Sequence, residues 1–337
     1  MTKLQPPDSN WQNLLKGENI TYWGLIWSAI ALVLYLTFSV VEPGTTRPVW
    51  FILVTTGMEE VGLVIAGCLC WRNWQSQYIP NGRGVWLLFS IATFAFGMGN
   101  LWFCLWELLW GLDPAASAGN PWFVIFYLML IAGVRLAILD RDVQLARQHW
   151  IMVVSVATFG LIIGCWLTTG TARAEFVLQT ATPIVSLQGD VIAGIRNPDR
   201  EFTAPTLAHR TTDNQRKLIP AWVVAIDQSM QPLVTSFNLF YILCDLVLLI
   251  FATILFLGFW GGHLGAPWRT IAQAVLCFYI ADTWFAYANN QVQGYESGSI
   301  MEVFWIFGIV QFGIAAALEF DNSIRARRLD RRRTAIK

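Results

Sequence analysis

The sequence predicts an all-α polytopic membrane protein: eight transmembrane helices as two four-helix repeats in the same orientation, plus an external loop or cap. Three observations predict it. Of 337 residues, 55% are hydrophobic and only 13% charged, which is not a soluble globular composition. Apolar runs of about 20 residues recur, long enough to cross a bilayer core as helices. The chain also repeats itself. Laying residues 84–110 over 266–292 at one constant offset pairs Trp86 with Trp268, Asn100 with Asp282, Trp102 with Trp284, Phe103 with Phe285 and Glu107 with Asn289.

The spans read as 20–42, 49–71, 84–110, 121–139, 148–169, 234–259, 268–290 and 299–318. Residues 1–19 are polar, and the first span is too long for a cleavable signal and lacks an Ala-x-Ala-like exit, so this segment is expected to remain, on the cytoplasmic side. Residues 20–139 form the first repeat, and 140–169 a cytoplasmic link and the fifth helix. Residues 234–318 supply helices six to eight, which complete the second repeat. Residues 319–337 are a basic cytoplasmic tail carrying Arg325, Arg327, Arg328, Arg331, Arg332 and Arg333. With eight spans these arginines share a side with Arg72, Arg83, Arg141, Arg147 and Arg269, which the positive-inside rule makes cytoplasmic. An integral membrane protein of a bacterial-type inner membrane, both termini cytoplasmic, is the expectation.

The repeat extends past one helix. Phe126-Tyr127 aligns with Phe304-Trp305 if the second external turn is four residues shorter, and Glu59 and Glu60 lie at a depth similar to Asp245. The remaining large piece, 170–233, alternates at Phe176-Val177-Leu178-Gln179 and Ile184-Val185-Ser186-Leu187, which permits short strands. About sixty residues is marginal for an independent core, so a cap on the external face is expected.

Several chemistries are set aside. The four lysines (Lys3, Lys16, Lys217, Lys337) lie outside the spans, which argues against a retinal Schiff base. His149, His209 and His263 lie at helix ends or in the loop, which argues against haem held by two histidines across the bilayer. All six cysteines fall in spans, so no external disulfide framework is indicated. Cys68 and Cys70 point to different helix faces, a poor metal pair. Zero net charge gives no case for nucleic acid, and membrane lipid is the expected partner of the basic tail.

A polar side chain at mid-membrane costs roughly 2.5–3.5 kcal/mol on insertion scales, so it is rarely kept without a partner or a use. Glu59, Glu60, Asn100, Glu107, Asp245, Asp282, Asn289 and Glu302 all fall in the outer half of the membrane, with Trp102 and Trp284 as candidate walls. Asn100 and Glu107 are seven apart and share a helix face, as do Asp282 and Asn289. Together they suggest an outward-opening polar cleft that could hold a small-molecule ligand or relay protons. Interhelical hydrogen-bond glue is the competing reading, worth roughly 0.6 kcal/mol per contact. Trp106 and Trp305 lie near the same cluster.

The runs Gly97-Met98-Gly99-Asn100-Leu101-Trp102 and Ile280-Ala281-Asp282-Thr283-Trp284-Phe285, with the returns at 120–127 and 298–305, resemble multi-helix bacterial membrane sensor modules that precede diguanylate cyclase, PAS or histidine kinase domains. In such modules an acidic residue often precedes the aromatic pair after the external turn. Glu302 matches that position, whereas the first half carries Val124. The resemblance covers roughly residues 50–140 and 234–320. No GGDEF-type motif or kinase core follows here, so the resemblance implies a sensor that passes its state to a separate cytoplasmic signalling protein at the tail. A non-enzymatic sensory or ligand-binding protein is the first expectation. A small-solute or proton-coupled transporter is the second, and an enzyme acting on a lipid or isoprenoid the third.

Overall fold

The computed structural model describes residues 16–40, 47–79, 82–141, 143, 145–167, 219–260, 265–291 and 297–336. Eight helices among them are long and apolar enough to cross a membrane, and no described residue is in a strand. The chain runs through α1 (Gly17–Phe38), α2 (Val49–Gln75), α3 (Arg83–Cys104), α4 (Asn120–Asp140) and α5 (Arg147–Leu167). It continues with a short α6 (Ala221–Met230), then α7 (Val234–Gly258), α8 (Ala266–Gln291) and α9 (Val303–Ile336). The eight spans expected from the sequence each correspond to one of these, with α6 and α7 joined through a 3-10 turn (Gln231–Leu233) into one span.

Two local features depart from the expectation. Residues 221–233, read as part of the cap, are helical and lead straight into α7. Trp222 on α6 packs edge-on against Trp102 and Trp110, which supplies the apolar contact that makes this segment a helix start rather than a loop. The strands suggested at 176–179 and 184–187 lie outside the described residues. The end of α3 also widens into a π turn at Leu105–Leu109, which inserts one extra residue per turn and shifts the face on which Glu107 emerges.

Six helices close a ring in the order α2, α3, α4, α7, α8, α9 and back to α2. Helix α1 packs outside on α9, and α5 lies against α7 and α8 through Gly160, beside Leu246, Leu249 and Tyr279. Lipid tails are as apolar as leucine, so association inside a bilayer relies on close packing and small residues. Gly133 of α4 admits a Phe89 ring that would lie 2.6 Å from an added Cβ, and Gly308 of α9 admits Phe278 at 2.8 Å.

The ring is filled by a column of aromatic side chains between α3 and α8. Trp86 meets Trp268 at 5.7 Å between centroids, Phe96 meets Phe278 at 5.3 Å and Phe103 meets Phe285 at 5.8 Å. Each of these contacts joins residues at the offset that aligned the two segments in sequence. Aromatic pairs contribute about 0.5–1.5 kcal/mol each beyond burial, so the column is a sizeable part of what joins the two halves.

At one end of the bundle the charged groups pair. Arg141 bridges Glu319 at 2.6 Å, Arg72 lies 4.0 Å over the Phe320 ring, and Asp321 accepts from the Gly17 backbone N–H at 2.7 Å. These contacts tie the start of α1, the ends of α2 and α4 and the middle of α9 together. The uncharged turns at 114–119 and 297–299 lie at the opposite end.

Candidate functional site

The polar residues gather toward that opposite end. On α2, Glu59 is buried and Glu60 half-buried. Successive helical side chains diverge by about 100°, yet one amide reaches both: Asn100 Nδ2 on α3 donates to Glu59 Oε2 at 3.0 Å and to Glu60 Oε1 at 3.1 Å. On α8, Asp282 holds the position matching Asn100. Its Oδ2 accepts from the Tyr127 hydroxyl of α4 at 3.0 Å, and its Oδ1 accepts from Trp305 Nε1 of α9 at 2.7 Å. Tyr127 and Trp305 are themselves partners in the sequence alignment, so one carboxyl joins two aromatics that the alignment pairs. Asp245 of α7, 6% exposed, also lies in hydrogen-bonding reach of Tyr127.

Two cavities flank this cluster. The larger, about 130 Å³, is lined by α3, α4, α7, α8 and Trp305. One water needs about 10–15 Å³ on this measure, so the space suits several waters or a small organic molecule. The smaller, about 30 Å³, lies among α1, α2, α3 and the start of α9.

Their linings correspond. Helix α2 gives the smaller cavity Ile52, Thr55, Thr56 and Glu59, and α7 gives the larger one Asn238, Tyr241, Ile242 and Asp245 at one constant offset. Likewise Asn100, Phe103, Cys104 and Glu107 of α3 line the smaller, while Asp282, Phe285, Ala286 and Asn289 of α8 line the larger, at the offset read from sequence. Of Glu59 and Glu60, it is therefore Glu59 that matches Asp245.

In the smaller cavity the carboxyls are taken up by the protein. Glu107 accepts from the Ser297 hydroxyl at 2.7 Å. Glu302 accepts from the backbone N–H groups of Gly298 at 2.7 Å and Ser299 at 3.0 Å, forming a capping box that starts α9. Gly298 is required there: its φ of 101° is a left-handed value, and a Cβ would lie 3.0 Å from Phe51.

In the larger cavity, Tyr241 stacks on Tyr127 with centroids 5.3 Å and planes 22° apart. The Tyr241 hydroxyl donates to Asn120 Oδ1 at 2.8 Å, and Asn120 Nδ2 donates to the Ala115 carbonyl at 2.8 Å. Asn120 is thereby locked as the first residue of α4, closing the turn that bounds the cavity.

Of the residues singled out from sequence, Asn100 lines both cavities. Asp245, Asp282 and Asn289 line the larger, and Glu59, Glu107 and Glu302 the smaller. Glu60 lines neither, and Trp102 and Trp284 are not walls of either one. Trp102 packs with Trp106 and Trp222, while Trp284 donates to the Ser299 hydroxyl. Asn120, Tyr127, Asn238 and Tyr241 are lining residues that sequence reasoning did not select. Tyr127 carried a usable signal, because it aligns with Trp305 beside the polar repeat.

The eight apolar helices mark an integral membrane protein. Comparisons with known protein families, with curated proteins and with solved structures found no match for the chain.

Proposed function

We propose that the chain is a sensory or ligand-binding membrane protein built from two four-helix repeats, with the larger cavity as its site. The carrying observation is that cavity itself: a buried Asp245 and a half-buried Asp282 beside stacked aromatics, in a volume suited to a small molecule. The matched linings and the α3–α8 column support the repeat. They are what a two-fold axis along the membrane normal produces, because residues near such an axis meet their own equivalents. The arginines gathered at the far end support a cytoplasmic location for that end, and hence an outward-facing site.

The same geometry offers a route out of the membrane. Trp305, bonded to Asp282, stands at the start of α9, and that helix continues without interruption past the Arg141–Glu319 bridge to Ile336. A change at Asp282 bears directly on α9, whose charged end is the surface a separate partner would read. Transporters often bind at broken helices. Here α3 and α8 run unbroken past Asn100 and Asp282, which favours a receptor.

Native mass spectrometry in mild detergent tests this on the wild type and Asp282→Ala. A small-molecule adduct present in the wild type and absent in a folded variant is the expected result. Bare protein in both would sink the reading and return these residues to interhelical glue.

A further inference from the structure

We infer that the occupant of the larger cavity is a small organic cation, an amine or methylated ammonium; this rests on the reading of that cavity as a ligand site. The argument begins with the donors. Tyr127 spends its hydroxyl proton on Asp282, Tyr241 spends its own on Asn120, and Trp305 spends its indole N–H on Asp282. Asn120 directs its amide N–H groups to backbone carbonyls, and Asn100 directs both of its own to Glu59 and Glu60.

What these residues leave for an occupant is acceptor capacity: the remaining lone pairs of Asp282 and Asp245 and the amide oxygen of Asn100. Among the described lining residues, the amides of Asn238 and Asn289 can offer either an N–H or an oxygen to the space. With both acids ionised, the state that a cation beside them favours, an occupant donates more hydrogen bonds than it accepts.

Charge narrows the class further. Two carboxyls line the space, and no Lys, Arg or His is among its described lining residues. A carboxylate or phosphate ligand would meet acids and no base. A cation would supply the counter-charge that the walls lack. Most of the apolar wall is aromatic, with Phe103, Phe123, Tyr127, Tyr241, Phe285 and Trp305 among the lining residues. Ring faces attract ammonium groups within about 6 Å, and an acid flanked by several rings is the usual cage for a methylated one.

The test is isothermal titration of the detergent-solubilised full chain with choline, methylammonium and 3,3-dimethylbutan-1-ol, the uncharged shape-mate of choline. Saturable binding of at least one cation is expected, with the neutral isostere at least ten-fold weaker. Asp245→Asn should lower cation affinity ten-fold or more. Phe285→Leu, which leaves both carboxyls in place, should lower choline affinity several-fold and covers the case in which the first variant does not fold.

Equal affinity for choline and its isostere would overturn the inference, as would no binding of either cation. The second failure is separable from failure of the ligand-site reading. A neutral or acidic adduct that is lost in Asp282→Ala would retain the site and reject the cation, whereas no adduct and no titration signal would reject both.

Discussion

The two cavities are built on matching helices from matching positions, yet one is about 30 Å³ and the other about 130 Å³. Around the smaller, each acid has a donor from the protein: Asn100 for Glu59, Ser297 for Glu107, and two backbone N–H groups for Glu302. Around the larger, Asp282 takes up the Tyr127 hydroxyl and the Trp305 indole N–H, and the Tyr127 proton is thereby spent before Asp245, so acceptor capacity exceeds what the protein supplies. The deciding exchange is Asn100 for Asp282. An amide can donate and so closes its own side, while a carboxyl at the same position only accepts when ionised and recruits donors from both halves.

Removing the bridging amide should have the largest effect. Asn100→Leu leaves Glu59 and Glu60 without their common donor, and an unsatisfied buried group costs about 1–3 kcal/mol. Thermal unfolding in detergent should show a larger drop in midpoint for this variant than for any substitution at Asp282, Gly133 or Gly308. An unchanged midpoint would mean that the two glutamates do not depend on Asn100.

Asp282→Asn should cost less, about 1–3 kcal/mol in all, because the remaining amide oxygen can still accept from either Tyr127 or Trp305 but its NH₂ opposes the other donor. If Asp282→Asn proves more damaging than Asn100→Leu, the structural and receptive roles of the two halves are reversed. The glycine pair comes next. Gly133→Ala and Gly308→Ala each force a methyl against a phenylalanine, Phe89 in one half and Phe278 in the other, and overpacking typically costs about 1–3 kcal/mol. The tighter contact at Gly133 should make it the more sensitive of the two, and the ratio of their unfolding shifts checks this.

What was legible follows the same divide. The eight spans could be read because each is a continuous apolar run, a signal that survives without knowledge of neighbours. Asn100, Asp245 and Asp282 stood out because a polar group in such a run is costly. The α3–α8 pairing was present only as an alignment offset, since nothing local says that Trp86 touches Trp268 rather than lipid. Tyr241 was missed because its ring suits a membrane helix anywhere and only the partner of its hydroxyl reveals a site, whereas Tyr127 had its alignment with Trp305 as a signal.

Glu302 was legible in a different sense. Ser299-x-x-Glu302 is the spacing of a capping box, but an acid at the edge of an apolar span suggests ligand chemistry before helix initiation. The π turn at Leu105–Leu109 has no sequence signature of its own. It leaves the seven-residue face rule intact all the same, since Asn100 and Glu107 both line the smaller cavity while Asp282 and Asn289 both line the larger.

The finest test concerns the Trp86–Trp268 contact, the most symmetric in the molecule. Both indole N–H groups are buried, and neither has a hydrogen-bond partner among the described residues. The symmetry ends at the ring faces: Arg141 lies 4.8 Å over Trp268, and no described cation is placed over Trp86. Phenylalanine removes an unpartnered N–H in either case, which offsets part of the lost packing. Trp268→Phe also weakens a cation–π contact worth about 0.5–1 kcal/mol. Trp268→Phe should therefore destabilise more than Trp86→Phe by a few tenths of a kcal/mol. Combining each with Arg141→Gln in a double-mutant cycle isolates the cause, because coupling should appear with Trp268 and vanish with Trp86. Coupling that vanishes at both positions would mean that Arg141 acts through Glu319 alone and that the Trp268 ring face carries no cation contact.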